Sequence, residues 1–298
     1  MRIDNMKLLD GKALSARIKD EIAEQVAQIK AQGGNVPHLA AVLVGDDPAS
    51  QSYVKSKVNS CHRCGFESTL IKKDDGISES ELLDIVADLN DNPDIDGFIV
   101  QLPLPQHIDE SKITLAIDHR KDVDGFHPIN VGRMAQGLPS YLPATPFGIL
   151  QMLERAEIET SGKHCVVVGR SNIVGTPISI LLSRKASPGN CTVTLTHSRT
   201  KDIGAVIREG DIVIAAIGIP HFIDASMIKE GAVVIDVGIN RVEDESRKRG
   251  YRLVGDVHFD EVAEKCSFIT PVPGGVGPMT VTSLLMNTLK ASQKEIYA

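Results

Sequence analysis

The chain has 298 residues, 42% of them hydrophobic, and a formal net charge of −7, which suffices for two domains of about 150 residues with buried cores. The acidic balance, with no Lys/Arg block interleaved with aromatics, argues against nucleic acid or an anionic membrane surface as a partner. No apolar run reaches the roughly 18 residues of a membrane span. The opening Met1-Arg-Ile-Asp-Asn-Met6 has no signal-peptide core, so a soluble, cytoplasmic protein is expected. Its five cysteines are scattered and odd in number, as in a reducing compartment. Cys61-His-Arg-Cys64 is a lone CxxC with no second ligand pair at zinc spacing. No metal is therefore expected, and both thiols read as incidental groups on a helix end.

In chain order, Leu14, Ile18, Ile22, Val26 and Ile29 fall on one helical face, and Gly33-Gly34 stops that helix. Leu39 to Val44 is a short apolar run suited to a strand buried on both faces. Gly45-Asp-Asp-Pro48 then turns the chain, with Asp47 as N-cap and Pro48 as the first residue of a new helix. That helix carries Tyr53 and Lys57, four residues apart and hence on one face. A lysine that exchanges protons near neutrality needs its pKa lowered from about 10.4 by burial or by a neighbouring cation, and Lys55 is close in sequence. A solvated surface lysine is the alternative. A strand over Glu67–Lys72, a capping box at Ser78-Glu-Ser-Glu81 opening a helix, and a strand over Gly97–Leu102 continue the βα alternation. Such repeats imply a mostly parallel sheet whose ligands gather at the carboxyl ends of the strands, where Lys57 and Gln101 both fall.

From Lys121 to Gly148 the periodicity fades and the stretch reads as ordered loop. It holds Asp122 and Asp124, a pair at i, i+2 that could bind a metal, hydrogen-bond a heterocycle or shape a turn, the last being the default. A helix begins near Thr145-Pro146. Cys165–Val168 is a strand, and Gly169-Arg-Ser-Asn-Ile-Val-Gly175 leads into a helix. The loop departs from G-x-G-x-x-G at Ser171 and Val174, yet it still brings backbone N–H groups to a helix N-terminus, where a pyrophosphate is held. After the next strand, Thr192–Thr196, His197-Ser-Arg-Thr200 has no carboxylate for a ribose 2′-hydroxyl. Arg170, Ser198 and Arg199 suit a 2′-phosphate, which favours NADP over NAD. An ordinary surface loop is the alternative. Strands at Ile212–Ala216 and Ala232–Asp236 extend the pattern. Pro271-Val-Pro-Gly-Gly-Val-Gly-Pro278 is a glycine-rich segment that permits close approach to a ligand, and a last helix over Thr280–Leu289 can pack back onto the first domain.

Six ordered segments now carry a resemblance over nearly the full length: Val44-Gly-Asp-Asp-Pro-Ala-Ser50 with Tyr53-Val-Lys-Ser-Lys57, Val100-Gln-Leu-Pro-Leu-Pro105, Lys121-Asp-Val-Asp-Gly-Phe-His-Pro128, Val168-Gly-Arg-Ser-Asn-Ile-Val-Gly175, Asp236-Val-Gly-Ile-Asn240 and Pro271-Val-Pro-Gly-Gly-Val-Gly-Pro-Met-Thr280. The chain resembles the bacterial bifunctional methylenetetrahydrofolate dehydrogenase/methenyltetrahydrofolate cyclohydrolases. The resemblance implies a two-domain α/β fold with the active-site cleft between the domains. The expected bounds are a βα-repeat folate-binding domain over residues 1–145, completed by 279–298, and a Rossmann-like NADP-binding domain over 146–278. It implies that Lys57 is the acid/base group, that Tyr53, Gln101 and Asp124 line the folate site, and that Gly169, Arg170, Ser171, Ser198, Ile239 and Thr280 contact the cofactor. Two reactions at one site follow, hydride transfer from 5,10-methylenetetrahydrofolate to NADP⁺ and then hydrolysis of the methenyl product to 10-formyltetrahydrofolate, in a homodimer with no metal. A neutral Lys57, placed by Gln101, would avoid repelling the cationic folate carbon and could take a proton from water.

Three positions depart from the family pattern: His119 stands where a proline is common, Ala144 where a cysteine is common, and Ser187-Pro-Gly-Asn190 lengthens the loop before the cofactor-domain strand. Two rival readings are another two-domain NADP-dependent dehydrogenase of the shikimate type and a nucleotide-binding protein that has lost catalysis. Intact Tyr53, Lys57, Gln101 and Asp124 speak against the second.

Overall fold

A computed structural model describes residues 6–247 and 250–297. In chain order its elements are β1 (Lys7–Leu8), α1 (Gly11–Ala31), β2 (His38–Val44), α2 (Pro48–Arg63), β3 (Glu67–Lys73), α3 (Glu79–Asp91), β4 (Gly97–Val100), α4 (Glu110–Ala116), α5 (Pro128–Ala135) and α6 (Ala144–Arg155). There follow β5 (His164–Val168), α7 (Gly175–Ser183), β6 (Thr192–Thr196), α8 (Ile203–Arg208), β7 (Ile212–Ala215), β8 (Val233–Asp236), β9 (Asn240–Glu243), β10 (Tyr251–Val254), α9 (Phe259–Ala263), β11 (Phe268–Ile269) and α10 (Val276–Ser292). Among the described residues no helix is long and apolar enough to cross a membrane.

The chain divides into two compact units. One spans Ala16–Ala144 and residues 281–297, around a parallel sheet ordered β3-β2-β4. Ala41 in the middle of β2 pairs with Leu70 on one side and Ile99 on the other. Burial of β2 on both faces explains its unbroken apolar sequence: from Leu39 to Val44 no residue exceeds 5% exposure. Val42, Val86, Phe98 and Ile113 meet in the core on one side of this sheet.

The other unit runs over residues 6–15 and Thr145–Thr280, around a parallel sheet ordered β1-β11-β8-β7-β5-β6. The chain leaves β5 to one side for β6 and then crosses to β7 on the other, so the end of β5 is a topological switch point. Strands β9 and β10 form a separate antiparallel hairpin. The expected first domain began at residue 1, whereas the residues from Lys7 to Ser15 group with the larger sheet. The cause is backbone pairing: Lys7 N donates to Ser267 O at 2.9 Å, Leu9 N to Ile269 O at 2.8 Å and Lys12 N to Gly274 O at 2.8 Å. Two-residue strands such as β1 and β11 leave no periodicity to read.

Start signals written in the sequence operate as expected. The Asp47 carboxylate accepts from Ser50 N at 2.7 Å, with Pro48 opening α2, and Ser78 and Glu81 form a reciprocal capping box on α3. The stretch after Lys121 differs from the expected continuous loop, because it contains α5. His127 caps that helix through Nδ1, which accepts from Ile129 N at 3.1 Å, and Pro128 is its first residue. Helix α10 begins inside the Pro/Gly-rich segment, at Val276.

Candidate active site

In the three-stranded unit, α2 brings Lys57 to the carboxyl edge of the sheet. Its side chain is nearly closed off, at 8% exposure, and Nζ donates to Gln101 Oε1 at 3.1 Å. Gln101 is itself held at both ends. Its backbone N donates to Val42 O at 2.9 Å, extending the sheet one residue past β4, and its Nε2 donates to Leu102 O at 2.6 Å. With the amide nitrogen so engaged, the carbonyl oxygen is the end that faces the amine. Lys55 is not the neighbouring cation that the sequence offered. It is exposed, two residues away on another face of the helix, and lines a separate pocket with Leu70 and Lys72. Tyr53, at 40% exposure, lies one turn before Lys57.

The Asp122–Asp124 pair separates into two environments. Asp122, at 2% exposure, shapes the turn: its carboxylate accepts from His127 N at 2.8 Å, Phe126 N at 3.3 Å and Asn130 Nδ2 at 2.9 Å. Burial nevertheless pushes that carboxyl up to about 7. Asp124 is half-buried, and its carboxylate accepts no hydrogen bond from the described residues. Burial raises its pKa, and the Lys57 amine opposes the rise. Lys57, Gln101 and Asp124 are thus brought together, with the Asp124 oxygens left for another partner. Both cysteines of the CxxC are buried near the end of α2, and burial pushes Cys61 up to about 12 and Cys64 to about 11. Among the described residues no group of three or more His, Cys, Asp or Glu is placed to hold a metal ion.

In the six-stranded unit, Gly169 follows β5 with φ +117°, and a Cβ there would lie 2.1 Å from Ala216 O. The loop then turns into α7 without a second glycine. Ser171 Oγ instead accepts from Val174 N at 3.2 Å and Gly175 N at 3.4 Å, so a hydroxyl organises the turn into the helix. The close approach usual for the third glycine of the fingerprint falls one position later, at Gly175, where a Cβ would meet Gly169 O at 1.9 Å. Arg170, Ser198 and Arg199 are exposed, and neither arginine has a carboxylate partner among the described residues. Thr200 Oγ1 accepts from His197 N at 2.9 Å, and His197 Nδ1 accepts from Arg199 N at 3.1 Å, which fixes the backbone that carries Ser198 and Arg199. Ile239, at 44% exposure, follows β8. A Cβ on Gly277 would meet its Cδ1 at 3.3 Å, and Thr280 Oγ1 lies 3.0 Å from Thr145 Oγ1.

Sequence reasoning missed Asp256 and the structural part played by Asp236. Asp256 accepts from Ile217 N, Gly218 N and Asn240 Nδ2 at 2.8–2.9 Å. Asp236 accepts from Gly238 N, Asp256 N and Val257 N at 2.9–3.0 Å. Together the two carboxylates hold the loops that leave β7 and β8. Each has a glycine against it: a Cβ on Gly255 would fall 1.8 Å from Asp236 Oδ2, and one on Gly238 would fall 2.3 Å from Asp256 Oδ1. The only sequence sign was that Asp236-Val-Gly and Gly255-Asp256 each pair a glycine with an aspartate. Burial pushes Asp236 up to about 7. Between pH about 4 and 7 the folded protein therefore keeps a proton that the unfolded chain has released, and this stabilisation is lost as pH rises through 7. Asp236→Asn should flatten the fall in denaturation free energy from pH 5 to 7 by up to about 1.4 kcal/mol per pH unit; an unchanged slope would contradict this.

Both parts of the chain match known proteins. Residues 9–124 match the family model described as "Tetrahydrofolate dehydrogenase/cyclohydrolase, catalytic domain", and residues 143–296 match "Tetrahydrofolate dehydrogenase/cyclohydrolase, NAD(P)-binding domain". The Bifunctional protein FolD of Bacteroides fragilis is 62% identical over 292 residues, covering 98% of this chain and 100% of that protein. Among solved structures, the bifunctional enzyme FolD-methylenetetrahydrofolate dehydrogenase/cyclohydrolase of Campylobacter jejuni superposes with a TM-score of 0.91 at 46% identity, covering 97% and 99% of the two chains. The N5,N10-methylenetetrahydrofolate dehydrogenase-cyclohydrolase of Trypanosoma brucei, solved with NADP cofactor and inhibitor, superposes with a TM-score of 0.92 at 37% identity over 98% and 99%. Matched along both of its units and over almost its whole length, the chain belongs to the tetrahydrofolate dehydrogenase/cyclohydrolase family.

Proposed function

We propose that this chain oxidises 5,10-methylenetetrahydrofolate to 5,10-methenyltetrahydrofolate with NADP⁺ and hydrolyses the product to 10-formyltetrahydrofolate at the same site. The observation that carries the reading is the buried Lys57 amine, held 3.1 Å from Gln101 Oε1, in a chain of this family. NADP⁺, when bound, supplies the hydride acceptor. Gly169, Arg170, Ser171, Ser198, Arg199, Ile239 and Thr280 would hold it. Two exposed guanidiniums without carboxylate partners among the described residues, beside a hydroxyl and a helix N-terminus, fit a pyrophosphate and a 2′-phosphate.

On the folate side, the Asp124 carboxylate accepts hydrogen bonds from adjacent N–H donors of the pterin, and Tyr53 offers a ring face to the flat substrate. As hydride leaves the carbon between N5 and N10, positive charge spreads over that N–C–N group. Water then attacks the carbon. Its oxygen forms the new C–O bond while Lys57, in its uncharged form, takes a proton. When the C–N5 bond breaks and the carbonyl forms, the second water proton is lost and N5 gains one, so the net release is one H⁺. Gln101 keeps the amine aimed at the water and away from solvent.

The same reading places the enzyme in the cytoplasm as a homodimer with no nucleic-acid partner, in keeping with its net charge of −7. Family membership disfavours the shikimate-type rival. Supplied with methylenetetrahydrofolate, the protein should form the methenyl product faster with NADP⁺ than with NAD⁺. Arg199→Ala should raise the KM for NADP⁺ by about 10-fold while barely altering that for NAD⁺. No methenyl product with either cofactor would reject the reading, and a preference for NAD⁺ would reject the 2′-phosphate assignment.

A further inference from the structure

The C-terminal segment makes contacts that neither the folding of its own helix nor the proposed chemistry requires. Asn287, in α10, is buried at 1% exposure. Its Nδ2 donates to Val123 O at 2.8 Å and to Leu142 O at 2.9 Å. Val123 immediately precedes Asp124, and Leu142 sits against the residue that follows it, since a Cβ on Gly125 would lie 2.6 Å from Leu142 C. Asp124 O accepts from Ala144 N at 3.2 Å. The Asn287 amide therefore ties Val123, just before Asp124, to Leu142, which packs against Gly125 just after it.

A second chain of contacts reaches the same turn. The Tyr297 hydroxyl donates to Asn130 Oδ1 at 2.6 Å. Asn130, with no exposed surface, donates through Nδ2 to Asp122 Oδ2 and to His119 O, both at 2.9 Å. The Tyr297 ring is in turn wedged edge-on against His119 at 4.9 Å and Tyr141 at 5.6 Å, with the Arg133 guanidinium 5.1 Å over its face. His119, one of the departures from the family pattern, thus supplies part of the seat for Tyr297.

We infer that Asn287, assisted by the Tyr297–Asn130–Asp122 chain, is a positioning residue for folate: it sets where the Asp124 carboxylate stands. This rests on the proposed contact between Asp124 and folate. A side chain fixed by two backbone carbonyls has little freedom to shift, and placing a recognition group to within a fraction of an ångström affects binding of the group it recognises. The isosteric change Asn287→Asp replaces the donor with an acceptor facing two carbonyls. Tyr297→Phe removes one hydroxyl and keeps the ring packing.

The test is a double-mutant cycle with Asp124→Ala, read as KM for methylenetetrahydrofolate, KM for NADP⁺ and kcat, with the melting temperature of each variant as a check on folding. Asn287→Asp should raise the folate KM about 10-fold, the order of one or two hydrogen bonds, and leave the NADP⁺ KM in place. Tyr297→Phe should give a smaller rise in the same direction. In the Asp124→Ala background, where there is no carboxylate to place, neither change should raise the folate KM further. An equal rise in both backgrounds, or a lower melting temperature with an unchanged folate KM, overturns the positioning role alone. If Asp124→Ala by itself leaves the folate KM unchanged, the Asp124 contact fails and this inference fails with it.

Discussion

Replacing Lys57 by Met should slow methenyltetrahydrofolate hydrolysis by about 10²–10⁴-fold, the span attributable to a positioned proton acceptor. The methionine side chain fills a similar volume in the nearly closed site and cannot accept a proton from water, so the loss is chemical rather than one of folding. Hydride transfer requires no proton acceptor and should fall less. Supplied with methylenetetrahydrofolate and NADP⁺, the variant should therefore accumulate methenyl product that the parent protein removes. Full hydrolytic activity in the variant would exclude Lys57 as the proton carrier. Gln101→Ala acts on the same step one bond removed, because the amide oxygen that receives the Lys57 hydrogen bond at 3.1 Å disappears.

Gly169→Ala is the second change of large effect, and its cause lies in the backbone. With φ at +117° and a Cβ that would approach Ala216 O to 2.1 Å, the substitution forces either the loop after β5 or the end of β7 to move. Left-handed strain and a backbone clash of this kind together amount to about 2–4 kcal/mol. The melting temperature should fall and NADP⁺ binding should weaken by at least about 10-fold, while Tyr53, Lys57 and Gln101 remain in their own unit. Calorimetry and a cofactor titration of one variant check both. Unchanged cofactor affinity would mean that the Gly169 loop does not carry the dinucleotide.

What could be read from the sequence was what depends on neighbours along the chain. Asp47 and Pro48 announce α2, and helical spacing then puts Tyr53 and Lys57 on one face. The apolar run of β2 tells of burial on two sides, and the strand–glycine–helix order around Gly169 tells of a tight loop entering a helix N-terminus. The departures of Ser171 and Val174 from the glycine fingerprint looked like a weakness in that reading. In the structure the Ser171 hydroxyl accepts from Val174 N and Gly175 N, and Gly175 makes the close approach to Gly169 O.

What could not be read depends on distant partners. The βα alternation put Lys57 and Gln101, 44 positions apart, at one sheet edge, but the bond between them and the burial of the amine depend on tertiary packing that no local pattern encodes. The Asp122–Asp124 pair was ambiguous because both residues are equally suited to a turn. Only Asn130 and the backbone N–H groups of Phe126 and His127 reveal that Asp122 takes that part and leaves Asp124 available. The Asp236–Asp256 brace was hidden for the same reason: each carboxylate is satisfied by backbone donors that tertiary pairing brings to it. Helix α5 was legible in principle from His127-Pro128, yet its few apolar positions were too sparse to set a period.

The central claim is that one folate site serves both reactions. Asp124→Asn, assayed for dehydrogenation of methylenetetrahydrofolate and separately for hydrolysis of methenyltetrahydrofolate, tests it most directly. One shared site predicts that the folate KM rises by the same factor, about 10-fold or more, in both assays. A rise in one assay with no change in the other would contradict a single site.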